Sequence, residues 1–306
     1  MSKARSITGG AVLALLYIFF TSSAMAACDR DCLLNFAKEY RAAYVRHDPT
    51  MVPLSRHVRF TENNVEMPFP DASWDTVTKE VGPPLTLADP KTGNIGIFTT
   101  IMQMDTPGFL AIRLKVKNGE ITEIEHMLST KRNLSGPPTP IGKVEEYEHD
   151  PAITQPVPSS ERASRRRLEE LADGYYKTLQ RNDGEIRGTS FSHDATRREN
   201  GLLFKDIESG FKSGFYYFNN KVRRQPILVD ETLGVVLCRG FIDHKGDLDT
   251  YKLTNGKEIR SVYREPHSWA FLEMFKIRKQ QIVAVEATFI GAPYNMHTPW
   301  SNALDP

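Results

Sequence analysis

Cysteine is scarce, at three in 306 residues, which is too few for a disulfide scaffold. An excess of charge of one sign is missing as well. Lys and Arg number 39 against 38 Asp and Glu, so no basic field runs over the chain and no nucleic-acid partner is expected. Gly-x-Gly-x-x-Gly and Walker loops are absent, and a nucleotide cofactor is left without a cradle. There is no Gly-x-Ser-x-Gly elbow for a serine hydrolase and no His-Glu-x-x-His helix for zinc. Asp243, His244, His267 and His297 are scattered, so neither a metal nor any other cofactor is expected. No apolar run reaches the 18 or so residues of a permanent membrane span. What remains is 40% hydrophobic and 25% charged, an ordinary globular balance. The length suits one large domain or two ordinary ones.

The N-terminus points to export. Lys3 and Arg5 precede the apolar run Ala11–Phe20, which is followed by Ala24-Met-Ala26. That order is the one a secretory signal uses, with cleavage after Ala26. Residues 1–26 are therefore read as a signal peptide, the mature protein as periplasmic or secreted, with no stable membrane insertion once the signal is gone. Lipidation at Cys28, through Met25-Ala-Ala-Cys28, is the alternative, although Met is a poor first residue for such a site. In an oxidising compartment Cys28 and Cys32 stand four apart at a helix start and can pair. Cys238, in the apolar stretch Leu233–Cys238, reads as a buried inert thiol.

One unit is written twice. Ala37-Lys-Glu-Tyr40 through Asp48 aligns without a gap on Ala172-Asp-Gly-Tyr175 through Asp183. Both carry apolar residues at three- and four-residue steps, and Pro49 or Gly184 follows the terminal Asp. Each is an amphipathic helix with a stop signal. Downstream of each comes a Glu-Asn turn, Glu62-Asn63-Asn64 and Glu199-Asn200-Gly201, of the kind that accepts left-handed backbone. Each copy closes on two strands of period-two alternation, ending at Glu125 and at Glu286. Helix, hairpin and long antiparallel strands, given twice, predict a tandem α+β protein. The divisions expected are 27–134 and 160–306, with 135–159 as a Pro-rich linker.

Val58-Arg-Phe-Thr-Glu-Asn-Asn64, Trp74 and the strand pair Arg113–Glu125 resemble the nuclear transport factor 2-like superfamily, which includes the SnoaL-like proteins. Cys28-Asp-Arg-Asp-Cys32, His47-Asp-Pro, Arg59-Phe-Thr-Glu-Asn63 and Pro293–Trp300 are similar to exported fungal and bacterial proteins of unknown function that carry two such folds. The resemblance implies two cones, each of helices on a curved antiparallel sheet, opening on a mostly apolar pocket. Active members of such families are cofactor-independent lyases, isomerases, cyclases or hydrolases that work by acid–base chemistry. The expectation is a lyase or isomerase acting on a hydrophobic aromatic or polycyclic small molecule. The alternative is a non-catalytic ligand-binding or protein-interaction module, and a homodimer is a further option.

Candidate residues follow from this reading. Tyr40, Tyr44, Phe60, Trp74 and Phe109 line the expected first cone. Tyr175, Tyr176, Phe215–Phe218, Trp269 and Phe271 line the second, although aromatics at such spacing serve equally as plain core. Glu62 and Glu199 are candidate general bases, or else hairpin caps. His126 has no counterpart in the second copy, where Ala287 stands, and is the third acid–base candidate. Arg113 is placed to hold a substrate anion or to pair with Glu125. Strict alternation turns His126 and Glu125 to opposite faces. Arg197, in the polar run His193–Asn200, belongs to a pocket mouth or a loop.

Overall fold

The computed structural model describes residues 28–131 and 140–304. The signal segment and cleavage site expected from the sequence lie outside the described residues. The chain enters α1 (Arg30–Arg46) through Asp29, whose carboxylate accepts from the Cys32 amide, and leaves it at His47 in the left-handed conformation. Cys28 and Cys32 are bridged, 5.4 Å apart at Cα. The helix buries Leu33, Phe36, Ala37, Tyr40, Ala43 and Tyr44, one stripe at helical spacing. Against that stripe lies a sheet of β1 (Leu54–Glu62), β2 (Val65–Met67), β3 (Val77–Glu80), β4 (Leu85–Asp89), β5 (Asn94–Gln103), β6 (Thr106–Lys117) and β7 (Glu120–Thr130), with the short α2 (Ser73–Thr76) before β3.

The second half opens with the short α3 (Pro151–Thr154), followed by α4 (Arg165–Gln180), which is capped by Ser164 and buries Leu168, Leu171, Ala172, Tyr175, Tyr176 and Leu179. Its sheet is built from β8 (Phe191–Glu199), β9 (Leu202–Lys205), β10 (Lys221–Asp230), β11 (Val235–His244), β14 (His267–Arg278) and β15 (Gln281–Ala292). The small α5 (Ile207–Lys212) and the hairpin β12 (Thr250–Lys252) with β13 (Glu258–Arg260) sit outside it.

The two sheets run in the same order. The first is β2-β1-β7-β6-β5-β3, with β4 also paired to β5, and the second β9-β8-β15-β14-β11-β10, so the first five positions correspond. In each, one pair is parallel, β1 with β7 and β8 with β15. Glu62 stands opposite His126 in the first pair and Glu199 opposite Ala287 in the second.

Layering follows from alternation. The long central strands are buried on both faces, and neighbouring side chains serve different cores. Ile112 and Leu114 of β6 join the α1 core, while Ala111 joins a core shared with the other sheet. Phe271 and Phe275 of β14 join the α4 core, and Leu272 and Met274 the shared one. The molecule is thus helix, sheet, sheet, helix. Its middle layer holds Leu87, Phe98, Ala111 and Met127 from one side and Leu228, Leu237, Leu272 and Ala284 from the other.

The connector is docked over its described part. Tyr147 Oη donates to Glu286 Oε2 at 2.8 Å, His149 Nδ1 lies 2.6 Å from the same oxygen, and the Asp150 amide donates to Oε1 at 2.6 Å. Val144, Ile153 and Val157 are buried. The connector is held between the sheets, with Val144 O accepting from Thr100 and Tyr147 packing on Phe109 on one side and Glu286 on the other.

Candidate functional site

The paired Glu-Asn turns separate into two jobs. Asn63 donates its backbone amide to His126 O, its side chain donates to Leu128 O, and its Oδ1 accepts from Leu128 N. Asn200 makes the same three bonds, to Ala287 O, Phe289 O and Phe289 N. The asparagine therefore straps each turn to its last long strand, and both have positive φ. In the second copy the next residue must be glycine. A Cβ on Gly201, at φ +79°, would stand 2.3 Å from the Phe109 ring. With the strap supplied by Asn, the glutamates are released for other contacts.

In the first half those contacts form a closed chain. Glu62 Oε2 accepts from the Ser73 hydroxyl and from its amide, and lies 3.5 Å from His126 Nδ1. Ser73 Oγ is 3.3 Å from the same Nδ1. On the far side of the ring His126 Nε2 is 2.8 Å from Tyr40 Oη, which also accepts from Trp74 Nε1 at 3.1 Å. Tyr44, Phe60 and Trp74 pack edge-on around these groups. Tyr40 and His126 are 0% exposed and Trp74 1%. Burial raises the Tyr40 and Tyr44 phenols, holding them protonated. Tyr40, Tyr44 and Trp74, expected to touch substrate, fill the space beneath α1; Trp74 donates to Tyr40, and the buried Tyr44 hydroxyl has no hydrogen-bond partner among the described residues.

Phe109, expected in the first cone, needs correction, and Arg113 is found in the Glu125 pairing that the sequence offered for it. Both stand on the opposite face of β6 from Ile112, toward the second sheet. Phe109 packs on Tyr147 and Arg113 binds Glu125 at 2.7 Å. Glu125 also receives Arg239 Nε at 2.8 Å from the other sheet. Burial opposes its charge, but Arg239 and Arg113 outweigh burial and hold the carboxyl below the usual range. His126 and Glu125 do face opposite sides, as alternation requires. His193 and Asp194 are exposed on β8, so of that polar run Arg197 and Glu199 point inward.

The second half is built on the same frame but is open. A cavity of about 120 Å3 is lined by Tyr175, Arg197, Glu199, Tyr216, Trp269 and Glu273, among others. Arg197 donates to Tyr175 Oη at 3.2 Å and to Tyr216 Oη at 2.7 Å, and its Nε is 3.0 Å from Glu199 Oε1. Buried though it is, this guanidinium stays charged: Glu199 and the two tyrosines raise it well above the ordinary arginine value against the pull of desolvation. Glu273 is 5% exposed. Burial pushes its carboxyl up to about 8, with Glu199 adding to the rise and the Tyr176 hydroxyl and Arg197 opposing it. In the same lining His244 stacks on His267 at 4.6 Å and lies tilted against Tyr263 at 4.5 Å, and its Nε2 lies 2.8 Å from Asn219 Oδ1. Burial, helped by His267, drives its pKa down to about 3, so the ring is neutral.

Register explains why one half is open. Glu199 on β8, Ala287 on β15 and Glu273 on β14 form one row across three strands. The matching row of the first sheet is Glu62, His126 and Ile112. Where the first row places an imidazole and an isoleucine, the second has a methyl group and a carboxyl. Tyr175, Arg197, Glu199 and Trp269 of the sequence reading are brought together here. Glu62 and His126 meet in the other half. Glu199 is the partner that fixes Arg197. Phe215 and Tyr217, expected in the cone, are 40% and 53% exposed. Glu273 was missed; its signal was a lone acid in the inward register of Trp269-Ala-Phe-Leu-Glu273-Met-Phe275.

Among the described residues no group of three or more His, Cys, Asp or Glu side chains could hold a metal ion, and no helix is long and apolar enough to cross a membrane. A family model described as a domain of unknown function (DUF8021) matches residues 161–289, the stretch that holds the open cavity. No curated protein matches the chain. Among solved structures, a candidate polyketide cyclase from Xanthomonas campestris pv. campestris is similar at 20% identity over 42% of this chain and 93% of its own, with a TM-score of 0.28. An NTF2-like protein of unknown function from Cytophaga hutchinsonii is similar at 9% identity over 42% of this chain and 100% of its own, with a TM-score of 0.24. A de novo designed protein with a curved β-sheet is similar at 14% identity over 42% and 88%, with a TM-score of 0.28.

Proposed function

We propose that the protein carries two nuclear transport factor 2-like cones in tandem and that the C-terminal one is a cofactor-independent lyase or isomerase of a small aromatic or enone compound. A single observation carries this: a buried carboxyl at about 8 faces a cavity whose other wall is a charged arginine holding two tyrosine hydroxyls. A general acid–base group works best with a pKa near the operating pH. At pH 7 a group at about 8 is ionised in about one molecule in ten and protonated in the rest. The ionised Glu273 removes a proton from a carbon next to a carbonyl. The enolate oxygen is met by the Tyr175 and Tyr216 hydroxyls, which accept from Arg197 and keep their own hydrogens to donate. Glu273 then returns the proton, to another carbon in an isomerisation or to a departing oxygen in an elimination.

Cavity size narrows the substrate. About 120 Å3 is close to the roughly 150 Å3 that encloses a benzene ring, so a one-ring compound fits and a polycycle does not without the mouth opening. Trp269 in the wall reports binding by fluorescence. A panel of phenols and cyclic enones, followed by Trp quenching and by solvent deuterium exchange at the carbon acid, tests the reading. Exchange is expected to rise with pH up to about 8. It should fall by about 10²–10⁴ in Glu273→Gln while quenching persists. Quenching without exchange in the wild type would leave a non-catalytic binding module, and neither signal would end the reading. An exported protein, with residues 1–26 removed and a second copy as partner, is the setting proposed for this activity. The bridged Cys28–Cys32 pair fits an oxidising compartment.

A further inference from the structure

A second cavity, unrelated to the first, lies where the two sheets meet. Its volume is about 270 Å3, and Arg59, Arg113, Lys115, Glu123, Gln225 and Arg239 supply its polar lining, with Trp300 as one wall. Three guanidinium groups share that indole: Arg113 lies 4.5 Å from the ring centre, Arg59 4.6 Å and Arg239 5.7 Å. Like charges gathered on one ring need counter-charge. Glu123 and Glu125 bind Arg113, Glu125 binds Arg239, and Glu66 binds Arg59. With Lys115, whose ammonium donates to Thr92 O, four cations stand against three carboxylates. One positive charge is unmatched. Burial and the nearby Arg113 charge also draw Arg239 below the ordinary arginine value.

Two polar atoms sharpen the chemistry. Arg113 Nη2, a donor, and Gln225 Oε1, an acceptor, are buried without a hydrogen-bond partner among the described residues. A buried group left unpaired costs about 1–3 kcal/mol, so a ligand offering both an anionic acceptor and a donor is favoured. Chloride and sulfate lack the donor at neutral pH. A phosphate group that keeps a proton has both, and guanidinium is its best planar partner.

We propose that this inter-sheet cavity binds a phosphate group, as the free ion or as a small phosphate monoester, through Arg113, Lys115 and Gln225 beneath Trp300. The site joins β6 of one sheet to β10 and β11 of the other, so its ligand bridges the halves. Binding confined to the folded state raises the melting temperature with ligand concentration.

The test uses the full chain, titrated with inorganic phosphate at constant ionic strength by calorimetry and thermal melting. Phosphate is expected to raise the melting point where an equal charge of chloride does not, and to bind more tightly than sulfate. Lys115→Gln, half-buried and outside the Glu125 pairs, should keep the fold and weaken phosphate about tenfold or more. Gln225→Leu should erase the preference for phosphate over sulfate. Arg113→Gln should abolish binding if it folds, and Lys115→Gln decides the matter if it does not. Phenyl phosphate run beside inorganic phosphate tells the monoester from the free ion, and tighter binding of either supports the site. Equal shifts with chloride, wild-type affinity in Lys115→Gln, or full displacement by acetate would overturn it. Glu273→Gln should leave the phosphate response unchanged, which separates this cavity from the α4 cone.

Discussion

Under α1 and under α4 the same row of three strand positions does opposite things. Under α1 the row Glu62, His126, Ile112 is continuous with Ser73, Tyr40 and Trp74, and these polar side chains bond one another within their own half. Under α4 the row is Glu199, Ala287, Glu273, and removing the imidazole leaves a void bounded by a carboxyl and a guanidinium. The two halves share strand order and register, and one small residue decides whether the row beneath the helix is filled. What a buried polar network contributes in the first half is a fixed packing arrangement; in the second, the same depth of burial perturbs an acid.

The contrast can be broken by experiment, and the largest effect belongs to Glu273. Its folded-state pKa is raised from near 4.5 to about 8. The folded state therefore holds a proton that the unfolded state has lost. The stabilising contribution is complete below about 4.5, falls across that window, and is gone above about 8. At 1.36 kcal/mol per unit, the loss across the window is at most about 5 kcal/mol. Urea unfolding of wild type and Glu273→Gln at pH 5 and pH 9 should show the variant far less sensitive to pH. Parallel profiles would mean that the carboxyl is not desolvated.

Next in size is Trp74→Ala. The indole is 1% exposed and packs on Tyr40, Tyr44 and Phe69, so truncation should cost about 3–5 kcal/mol. Quenching of Trp269 by ligand should not change. A loss of ligand affinity with stability intact would move function into the first half.

Smallest, and most direct, is Ala287→Ile, which puts a branched side chain where the second row is open. Stability should change by no more than about 1–3 kcal/mol, while ligand quenching should disappear. Retained binding would place the ligand elsewhere than beside Glu273.

The frame was legible because local rules wrote it. Helical spacing and the Asn turns each act within a few residues, and the Glu125–His126 alternation needed nothing more than a pleat. The site was legible in part. Arg197, Tyr175 and Trp269 were found as polar and aromatic residues on inward positions, yet nothing local separates them from Tyr40 and Trp74, which are core. That distinction depends on the size of Ala287, on the strand beside β8 in space but far along the chain from Arg197. The Arg113–Glu125 pair was legible from neighbouring strands. That Arg239, 126 positions beyond Arg113, shares the same carboxylate was not, because the core that places the two sheets back to back has no short-range signature.

That shared core has a consequence for how the molecule can be divided. Leu87, Phe98 and Met127 on one sheet are covered by Leu228, Leu237 and Leu272 on the other, and the connector lies across Glu286 rather than in solvent. A cut in the connector would therefore nick the chain without releasing either half. Expressed alone, each half would present a bare, water-facing sheet of leucine, phenylalanine and methionine, the kind of surface that drives aggregation. The smallest unit that keeps this core covered is the pair of sheets.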